Sequence, residues 1–191
     1  MLAAIVLSAG KSERMGSPKA LLQFRGRTFL ATILDAIDSV GIRTVIVVAG
    51  HHYERIAAAF PDARVVFNPN YEQGMSTSVQ AGIRSLPPGL SGTAVFLVDH
   101  PLIDPKTIEI LMSRLKAGHI VVPIHEGRRG HPVVFAADLF DEILALPPDL
   151  GLNTVVRKTR DRVLEVPVED PGVIRDIDTP DQFAALLGEE Q

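Results

Sequence analysis

A regular alternation of short apolar runs and helical patterns constrains the fold of this chain more than any other feature. Runs rich in β-branched residues predict strands at residues 2–7, 44–49, 64–67, 93–98 and 119–122. Several of these runs are apolar throughout, which is typical of strands covered on both faces of a sheet. Helical patterns lie between them, at residues 29–40, 53–60, 76–86 and 105–117. The alternation predicts a three-layer α/β fold with a mostly parallel sheet and right-handed crossovers.

The last third of the chain is less regular. After residue 125 we expect a short apolar segment at 132–135, helices near 138–146 and 151–160, and a strand near 162–166. A final helix is predicted at 180–187, with Thr179 as its N-cap before Pro180. A length of 191 residues fits a single domain that can bury its own core.

Composition excludes several classes of function. The formal net charge of −4 argues against a nucleic-acid polymer as partner, since such partners require a basic face. The absence of cysteine excludes disulfides, thiolate catalysis, Cys-ligated zinc and iron–sulfur clusters. No apolar run approaches the ~20 residues that a membrane span needs, and the N-terminal run is too short for a signal peptide. We therefore expect a cytoplasmic protein with no nucleic-acid and no membrane partner.

The loop after the first predicted strand is the richest segment in the sequence. Residues 7–19 read LSAGKSERMGSPK, in which Lys11, Arg14 and Lys19 supply positive charge and small residues allow close backbone approach to an anion. In open α/β sheets, ligands bind at the carboxyl ends of the strands. The loop is no Walker A motif, because Ile5 stands where the first glycine would be. A polar loop with solvated cations is the alternative, but the cluster of cations favours phosphate binding.

Acidic residues follow a predicted strand and recur near the end of the chain. Asp99 comes directly after the strand at 93–98, and Asp176 and Asp178 lie in the run RDIDTP. Mg²⁺ usually takes one or two carboxylates together with substrate phosphates. On an extended backbone Asp176 and Asp178 would point the same way. A turn or capping role before the prolines that follow is the alternative for each of these carboxylates.

Together these segments resemble a known family. The loop is similar, nearly position for position, to the signature L-x-[AG]-G-x-S-x-R-M-G-x-x-K of the MobA-like nucleotidyltransferases, and FLVDHP and DIDTP are similar to its acidic motifs. The resemblance covers nearly the whole chain. It implies a Rossmann-like, GT-A-like nucleotidyltransferase fold. It also implies a single nucleotidyltransferase domain over 1–191, with a nucleotide-binding part at 1–123 and an acceptor and metal part at 124–191.

The resemblance also implies site residues. Arg14, Lys19 and Asp99 would be catalytic, and Asp99 and Asp178 would hold Mg²⁺, with Asp176 as a neighbour. The nucleotide-binding positions carried over from the family are Leu7, Ser8, Ala9, Gly10, Lys11, Gly74, Ser76 and Ser78. Hydroxyls at the start of a helix normally cap it, which is the alternative for the serines.

Three motifs point to one branch, the molybdenum cofactor cytidylyltransferases. The run RGHP, the run DIDTP and the strand end SAG are similar to that branch, and Ala9 adds a methyl group where the guanylyltransferases have glycine. The resemblance implies transfer of CMP from CTP to the phosphate of molybdopterin, with Arg129 and His131 bordering the acceptor pocket. Asn153 stands where an arginine is expected, and His100 where methionine or glutamine is common.

Other functions remain open at this point. The chain could use GTP, or could act on a sugar phosphate or another alcohol phosphate. A different class is a non-catalytic, molybdenum cofactor-binding chaperone, which would bind its ligand without releasing pyrophosphate. The resemblance to the molybdenum cofactor branch implies a molybdoenzyme or its chaperone as the partner protein.

Overall fold

The computed structural model describes residues 1–148, 150–152, 154 and 160–189. Over these residues the strands are β1 (Leu2–Ser8), β2 (Gln23–Phe24), β3 (Arg27–Thr28), β4 (Thr44–Ala49), β5 (Val65–Phe67), β6 (Gly92–Leu97), β7 (Ile120–His125), β8 (Arg128–Arg129), β9 (Val133–Ala136) and β10 (Val163–Pro167). The α-helices are α1 (Phe29–Ser39), α2 (Tyr53–Ala59), α3 (Met75–Arg84), α4 (Pro105–Ser113), α5 (Phe140–Leu144) and α6 (Pro180–Gly188). Short 3₁₀ helices occur at Lys19–Leu21, Tyr71–Gln73, Ala137–Leu139, Arg160–Arg162 and Pro171–Ile174.

The described strands form one large sheet and one small hairpin. The large sheet has the order β10–β7–β9–β6–β1–β4–β5, with β8 paired to β7, and β2 and β3 form the hairpin. Pairing is parallel between β1 and both β4 and β6, between β4 and β5, and between β10 and β7. Strand β9 is antiparallel to both β6 and β7, and β8 is antiparallel to β7. The predicted α/β fold with a mostly parallel sheet is therefore confirmed.

The central strands are apolar throughout because alternate residues are buried on opposite faces of the sheet. Ala4 and Val6 of β1 belong to a core cluster that includes buried residues of α1 and α4. Ile5 and Leu7 belong to the cluster on the other face, which includes buried residues of α3 and α5. Successive side chains of a strand point to opposite faces, so β1 is buried from both sides. This arrangement gives the three layers that the sequence predicts.

Local signals fix the ends of several helices. Thr28 caps α1 by accepting a hydrogen bond from the Ala31 amide, and Asp104 caps α4 ahead of its first-turn proline. Helix α6 begins with a full capping box between Thr179 and Gln182, in which each side chain bonds the other residue's backbone amide. The predicted cap at Thr179 is therefore confirmed.

The later part of the chain completes the sheet begun by the earlier part. The boundary proposed at residues 123 and 124 lies inside β7, and β9 pairs with both β7 and β6. Most of the helix predicted at 151–160, including Asn153, lies outside the described residues. Among the described helices, none is both long enough and apolar enough to cross a membrane.

Candidate active site

A cavity of about 490 Å³ opens where β1 and β6 end. It is lined by residues from the carboxyl ends of these parallel strands, from the loop after β1, from the start of α3 and from the segment before α6. The lining residues are Leu7, Ser8, Ala9, Gly10, Lys11, Ser12, Glu13, Arg14, Pro18, Lys19, His52, Ile56, Tyr71, Met75, Ser78, Leu97, Val98, Asp99 and Asp178. This is the edge of the sheet at which an open α/β fold binds ligands.

The loop after β1 folds back on itself and so places its cations at the cavity. We call residues 9–19 the candidate phosphate loop. Ser12 adopts a left-handed conformation with φ of 53°, and its carbonyl accepts hydrogen bonds from the amides of Met15 and Gly16. Arg14 lies within this turn, and the chain then reaches Lys19, where the first 3₁₀ helix begins. Both cations line the cavity.

Lys19 lies between two carboxylates that are far apart in the sequence. Its Nζ donates to Asp99 Oδ2 at 3.0 Å and also contacts Asp178 Oδ1. Arg14 Nη2 donates to Asp178 Oδ2 at 2.6 Å. The Lys19 side chain is 13% exposed and both aspartate side chains are 23% exposed, so these three side chains are shielded from most of the solvent, whereas Arg14 is exposed.

A backbone hydrogen bond holds the segment before α6 beside Asp99. The Ile177 amide donates to the Asp99 carbonyl at 2.9 Å, and the Ile177 side chain is buried. This bond holds Asp178 close to Asp99, and the Asp178 carboxylate contacts Lys19.

Both carboxylates are ionised at neutral pH. Burial by itself raises the pKa of Asp99, but a hydrogen bond from His100 Nδ1–H at 3.1 Å and the charge of Lys19 outweigh it and lower the pKa of Asp99 to about 2. The hydrogen bond from Lys19, and then the hydrogen bond from Arg14, lower the pKa of Asp178. Two negative charges thus converge on one ammonium group.

The carboxylate pair fits a hard divalent cation that shares its ligands with a substrate. Within the described ranges, no group of three or more His, Cys, Asp or Glu side chains is placed to hold a metal ion. Mg²⁺ characteristically binds through one or two carboxylates plus substrate phosphates. Asp99 and Asp178 offer that donor set, beside a loop whose cations suit phosphates.

Three residues on the other side of the cavity, His52, Tyr71 and Met75, were not identified from the sequence. His52 Nε2 donates to the Lys11 carbonyl at 3.0 Å, and Lys11 Nζ pairs with Glu72 at 2.7 Å. These contacts join the candidate phosphate loop to the segments that follow β4 and precede α3. His52 comes shortly after the end of β4, so the strand-end rule that found Asp99 could also have found it.

Close packing around Gly50 shapes the same wall. A Cβ at Gly50 would lie 2.5 Å from Tyr71 Cγ and 2.6 Å from the Ala9 carbonyl oxygen, so only glycine lets these groups approach. Tyr71 and the half-exposed Met75 line the cavity here. Their sequence neighbourhood indicates a turn, and no local signal marks either side chain as part of a site.

Ten of the predicted site residues line the cavity, and four do not. Those that line it are Leu7, Ser8, Ala9, Gly10, Lys11, Arg14, Lys19, Ser78, Asp99 and Asp178. Gly74 and Ser76 instead pack against the segment after α5. Ser76 is buried and its hydroxyl donates to the Pro148 carbonyl at 3.1 Å, while a Cβ at Gly74 would meet the same oxygen at 2.9 Å.

The residues predicted to border the acceptor pocket, Arg129 and His131, do not line this cavity. Arg129 lies on β8, where its Nε donates to Glu165 Oε1 at 2.7 Å. The His131 ring lies edge-on to His100, with 5.3 Å between ring centroids. Burial, followed by the charge of His100, lowers the pKa of His131 to about 4. Its Nδ1 is buried and has no hydrogen-bond partner among the described residues.

Asp176 does not share a side with Asp178. It is exposed and lines a separate cleft with His125 and Arg128, whereas Asp178 faces Lys19. The buried Ile177 separates them, and the expectation that both carboxylates point the same way is wrong. The structure therefore favours Asp178 as the partner of Asp99.

Comparisons with known proteins agree with this geometry. The MobA-like NTP transferase domain matches residues 4–163. The molybdenum cofactor cytidylyltransferase of Escherichia coli (strain K12) is 28% identical over 183 residues, which cover 94% of this chain and 92% of that protein. The nicotine blue oxidoreductase of Paenarthrobacter nicotinovorans is 28% identical over 194 residues, covering 96% of this chain and 95% of that one.

Solved structures share the whole architecture. Rv0371c from Mycobacterium tuberculosis H37Rv is 29% identical and superposes with a TM-score of 0.85, and the match covers 98% of each chain. Its complex with manganese has a TM-score of 0.81 at 27% identity, again with 98% of each chain covered. The family, the Rossmann-like α/β nucleotidyltransferase fold and the enzyme class predicted from the sequence are confirmed: this chain belongs to the MobA-like NTP transferase domain family and is a nucleotidyltransferase.

Proposed function

We propose that this nucleotidyltransferase transfers CMP from CTP to the phosphate of a molybdopterin cofactor, releases pyrophosphate and depends on Mg²⁺. One observation carries the proposal. The cations Arg14 and Lys19 and the ionised pair Asp99 and Asp178 meet at one cavity, beside a loop suited to phosphates. This is the charge arrangement that in-line transfer at a phosphorus atom requires.

The choice of CTP rests on a relative and on one side chain. The cytidylyltransferase of Escherichia coli matches almost the full chain. Ala9 lines the cavity and is buried, so its methyl group takes space that glycine would leave free. Less space favours the smaller pyrimidine ring over a purine.

The reaction needs no protein nucleophile, because an acceptor phosphate is already ionised at neutral pH. An oxygen of that phosphate attacks the α-phosphorus of CTP, while the bond from this phosphorus to the bridging oxygen of the β-phosphate breaks. Pyrophosphate leaves with the electron pair of that bond. Arg14 and Lys19 neutralise the triphosphate and the charge that develops on the leaving group.

Asp99 and Asp178 would hold the divalent cation. When bound, Mg²⁺ supplies charge neutralisation at the phosphate oxygens. His100 keeps the Asp99 carboxylate ionised and oriented through its Nδ1–H. The manganese complex of Rv0371c concerns a related protein, and it makes Mn²⁺ a suitable second metal for the assays.

The first experiment measures pyrophosphate release from CTP and from GTP with Mg²⁺, with and without molybdopterin cofactor. We expect release from CTP that depends on both the metal and the cofactor. Asp99→Asn should abolish release, because it removes a charged metal ligand. Asp62→Asn changes an exposed carboxylate outside the cavity and should leave release unchanged.

Other outcomes would each assign a different function. Release from GTP alone would indicate a guanylyltransferase, and release with a sugar phosphate or another alcohol phosphate as acceptor would change the substrate class. Nucleotide or cofactor binding without release would indicate the binding chaperone. Redox turnover without pyrophosphate release would match the reaction class of the nicotine blue oxidoreductase and contradict the proposal.

A further inference from the structure

Asn68, which directly follows β5, is a buried residue whose side-chain amide is fixed at both ends. Its side chain is almost fully buried, with 2% of the residue exposed. Its backbone amide donates to the Ala49 carbonyl at 2.8 Å, and its Oδ1 accepts from the Asn70 amide at 3.0 Å. Because Oδ1 accepts from a backbone amide, the orientation of the side-chain amide is set, and Nδ2 points the other way.

The Nδ2 group donates to two hydroxyls at the start of α3. The distances from Asn68 Nδ2 to Thr77 Oγ1 and to Ser78 Oγ are both 2.9 Å. An amide nitrogen can only donate, so both hydroxyls accept. Thr77 then uses its own hydrogen on the carbonyl of Asn70 or Gly74, at 2.9 Å and 2.8 Å. Thr77 therefore has a structural role in the turn before α3.

The Ser78 hydroxyl is in a different position. It accepts from Asn68, and among the described residues no protein acceptor bonds its hydrogen. Ser78 also lines the cavity, on the wall that includes Tyr71 and Met75. The hydrogen of this buried hydroxyl is thus available to a ligand in the cavity, and a buried donor without an acceptor costs free energy.

We propose that Asn68 is a positioning residue that holds the Ser78 hydroxyl as a hydrogen-bond donor to the nucleotide base. The proposal rests on the proposed function, since it assumes that a nucleotide occupies this cavity. The phosphates belong beside Arg14 and Lys19, which leaves the wall of Tyr71 and Met75 to the flat, largely apolar base. Cytosine offers two acceptors, O2 and N3, on its pairing edge, where guanine offers two donors and one acceptor. A fixed donor therefore favours cytosine.

The test reads binding instead of turnover. CTP and GTP affinities are measured by calorimetry with Mg²⁺ for the wild type, Asn68→Asp, Ser78→Ala and the double variant. The carboxylate introduced by Asn68→Asp has no N–H hydrogens, so it accepts from the Ser78 hydroxyl and the donor is lost to the ligand. Each single variant should weaken CTP binding about tenfold and reduce the preference for CTP over GTP. The double variant should be no weaker than either single variant, because both remove the same bond.

Thr77→Val is the matched control, because it removes the hydrogen bond from Asn68 Nδ2 to Thr77 and leaves the one to Ser78. It should lower thermal stability and leave CTP affinity within about twofold, since the Ser78 donor remains. If Thr77→Val weakens CTP binding as much as Asn68→Asp does, Asn68 acts only through the fold and the proposal is overturned. Additive losses in the double variant would overturn it as well.

The remaining outcomes separate this inference from the proposed function. A wild type that binds CTP but releases no pyrophosphate refutes the proposed function, while the variants still decide the role of Asn68. A wild type that binds no nucleotide overturns both. If Asn68→Asp does not fold, unchanged CTP affinity in a folded Ser78→Ala overturns the inference alone.

Discussion

Replacing Lys19 with methionine should tighten metal binding while it abolishes turnover. Lys19 Nζ contacts both Asp99 and Asp178, which are the carboxylates proposed to hold the metal. A divalent cation must displace this ammonium group before it can bind both carboxylates. Methionine has a similar length and no charge, so Lys19→Met removes the competing cation and leaves two carboxylates that repel each other.

The size of the effect follows from the electrostatics of Asp99. Its surroundings lower its pKa from 3.8 to about 2. This difference corresponds to ~2.4 kcal/mol at ~1.36 kcal/mol per pKa unit. Burial raises the pKa of Asp99, and His100 and Lys19 together lower it by more. If Lys19 supplies about half of the net stabilisation, its loss makes metal binding on the order of tenfold tighter.

The assay is Mn²⁺ binding without nucleotide, followed by electron paramagnetic resonance or calorimetry. Turnover is measured in parallel as pyrophosphate release, and Lys19→Met should lose it because a phosphate-neutralising cation is gone. Lys106→Met is the matched control, since Lys106 is exposed and does not line the cavity. Unchanged or weaker Mn²⁺ binding by Lys19→Met would refute the reasoning, because the metal would then not compete with Lys19 for these carboxylates.

Further predictions concern stability, each measured by chemical denaturation. Thr179→Ala removes one half of the capping box with Gln182 and should cost about 1 kcal/mol; no loss would show that α6 does not need this cap. Gly130→Ala would place a Cβ 2.3 Å from the Val173 carbonyl oxygen and should cost about 1–3 kcal/mol through overpacking; an unchanged free energy of unfolding would contradict this. The pKa of His131 is lowered from 6.5 to about 4, so the unfolded chain binds more protons between these values. The unfolding free energy should therefore fall as pH falls from 6.5 to 4, by up to ~3 kcal/mol, and His131→Phe should remove that dependence.

Local patterns were sufficient for the part of the site that lies at strand ends. Asp99 and the loop up to Lys19 follow predicted strands directly, and the strand-end rule applies wherever a parallel sheet is recognised. Their placement requires only that β1 and β6 be neighbours in the sheet, as they are. The rule applies equally to His52, which follows β4, so the sequence contains a signal for this residue as well.

Arg129, which was predicted to border the acceptor pocket, does not line the cavity, and strand pairing explains its position. The partner of Arg129 is Glu165 on β10, and this contact exists only because β10 and β8 both pair with β7. Strand pairing between distant segments leaves no mark in the sequence near Arg129. A basic loop before a short strand therefore has the same local pattern whether its arginines face a ligand or a neighbouring strand.

The choice between Asp176 and Asp178 shows what tertiary packing adds. Ile177 lies between them and belongs to a small buried cluster with Phe24, Phe29 and Leu186. Phe24 belongs to the hairpin of β2 and β3, Phe29 begins α1, and Leu186 belongs to α6, so the cluster joins segments from both ends of the chain. With Ile177 held there and its amide bonded to the Asp99 carbonyl, the side chain that follows it faces Lys19 and the one that precedes it faces away. The packing of an apolar neighbour thus selects the second carboxylate, which the sequence had assigned to Asp178 only through the family resemblance.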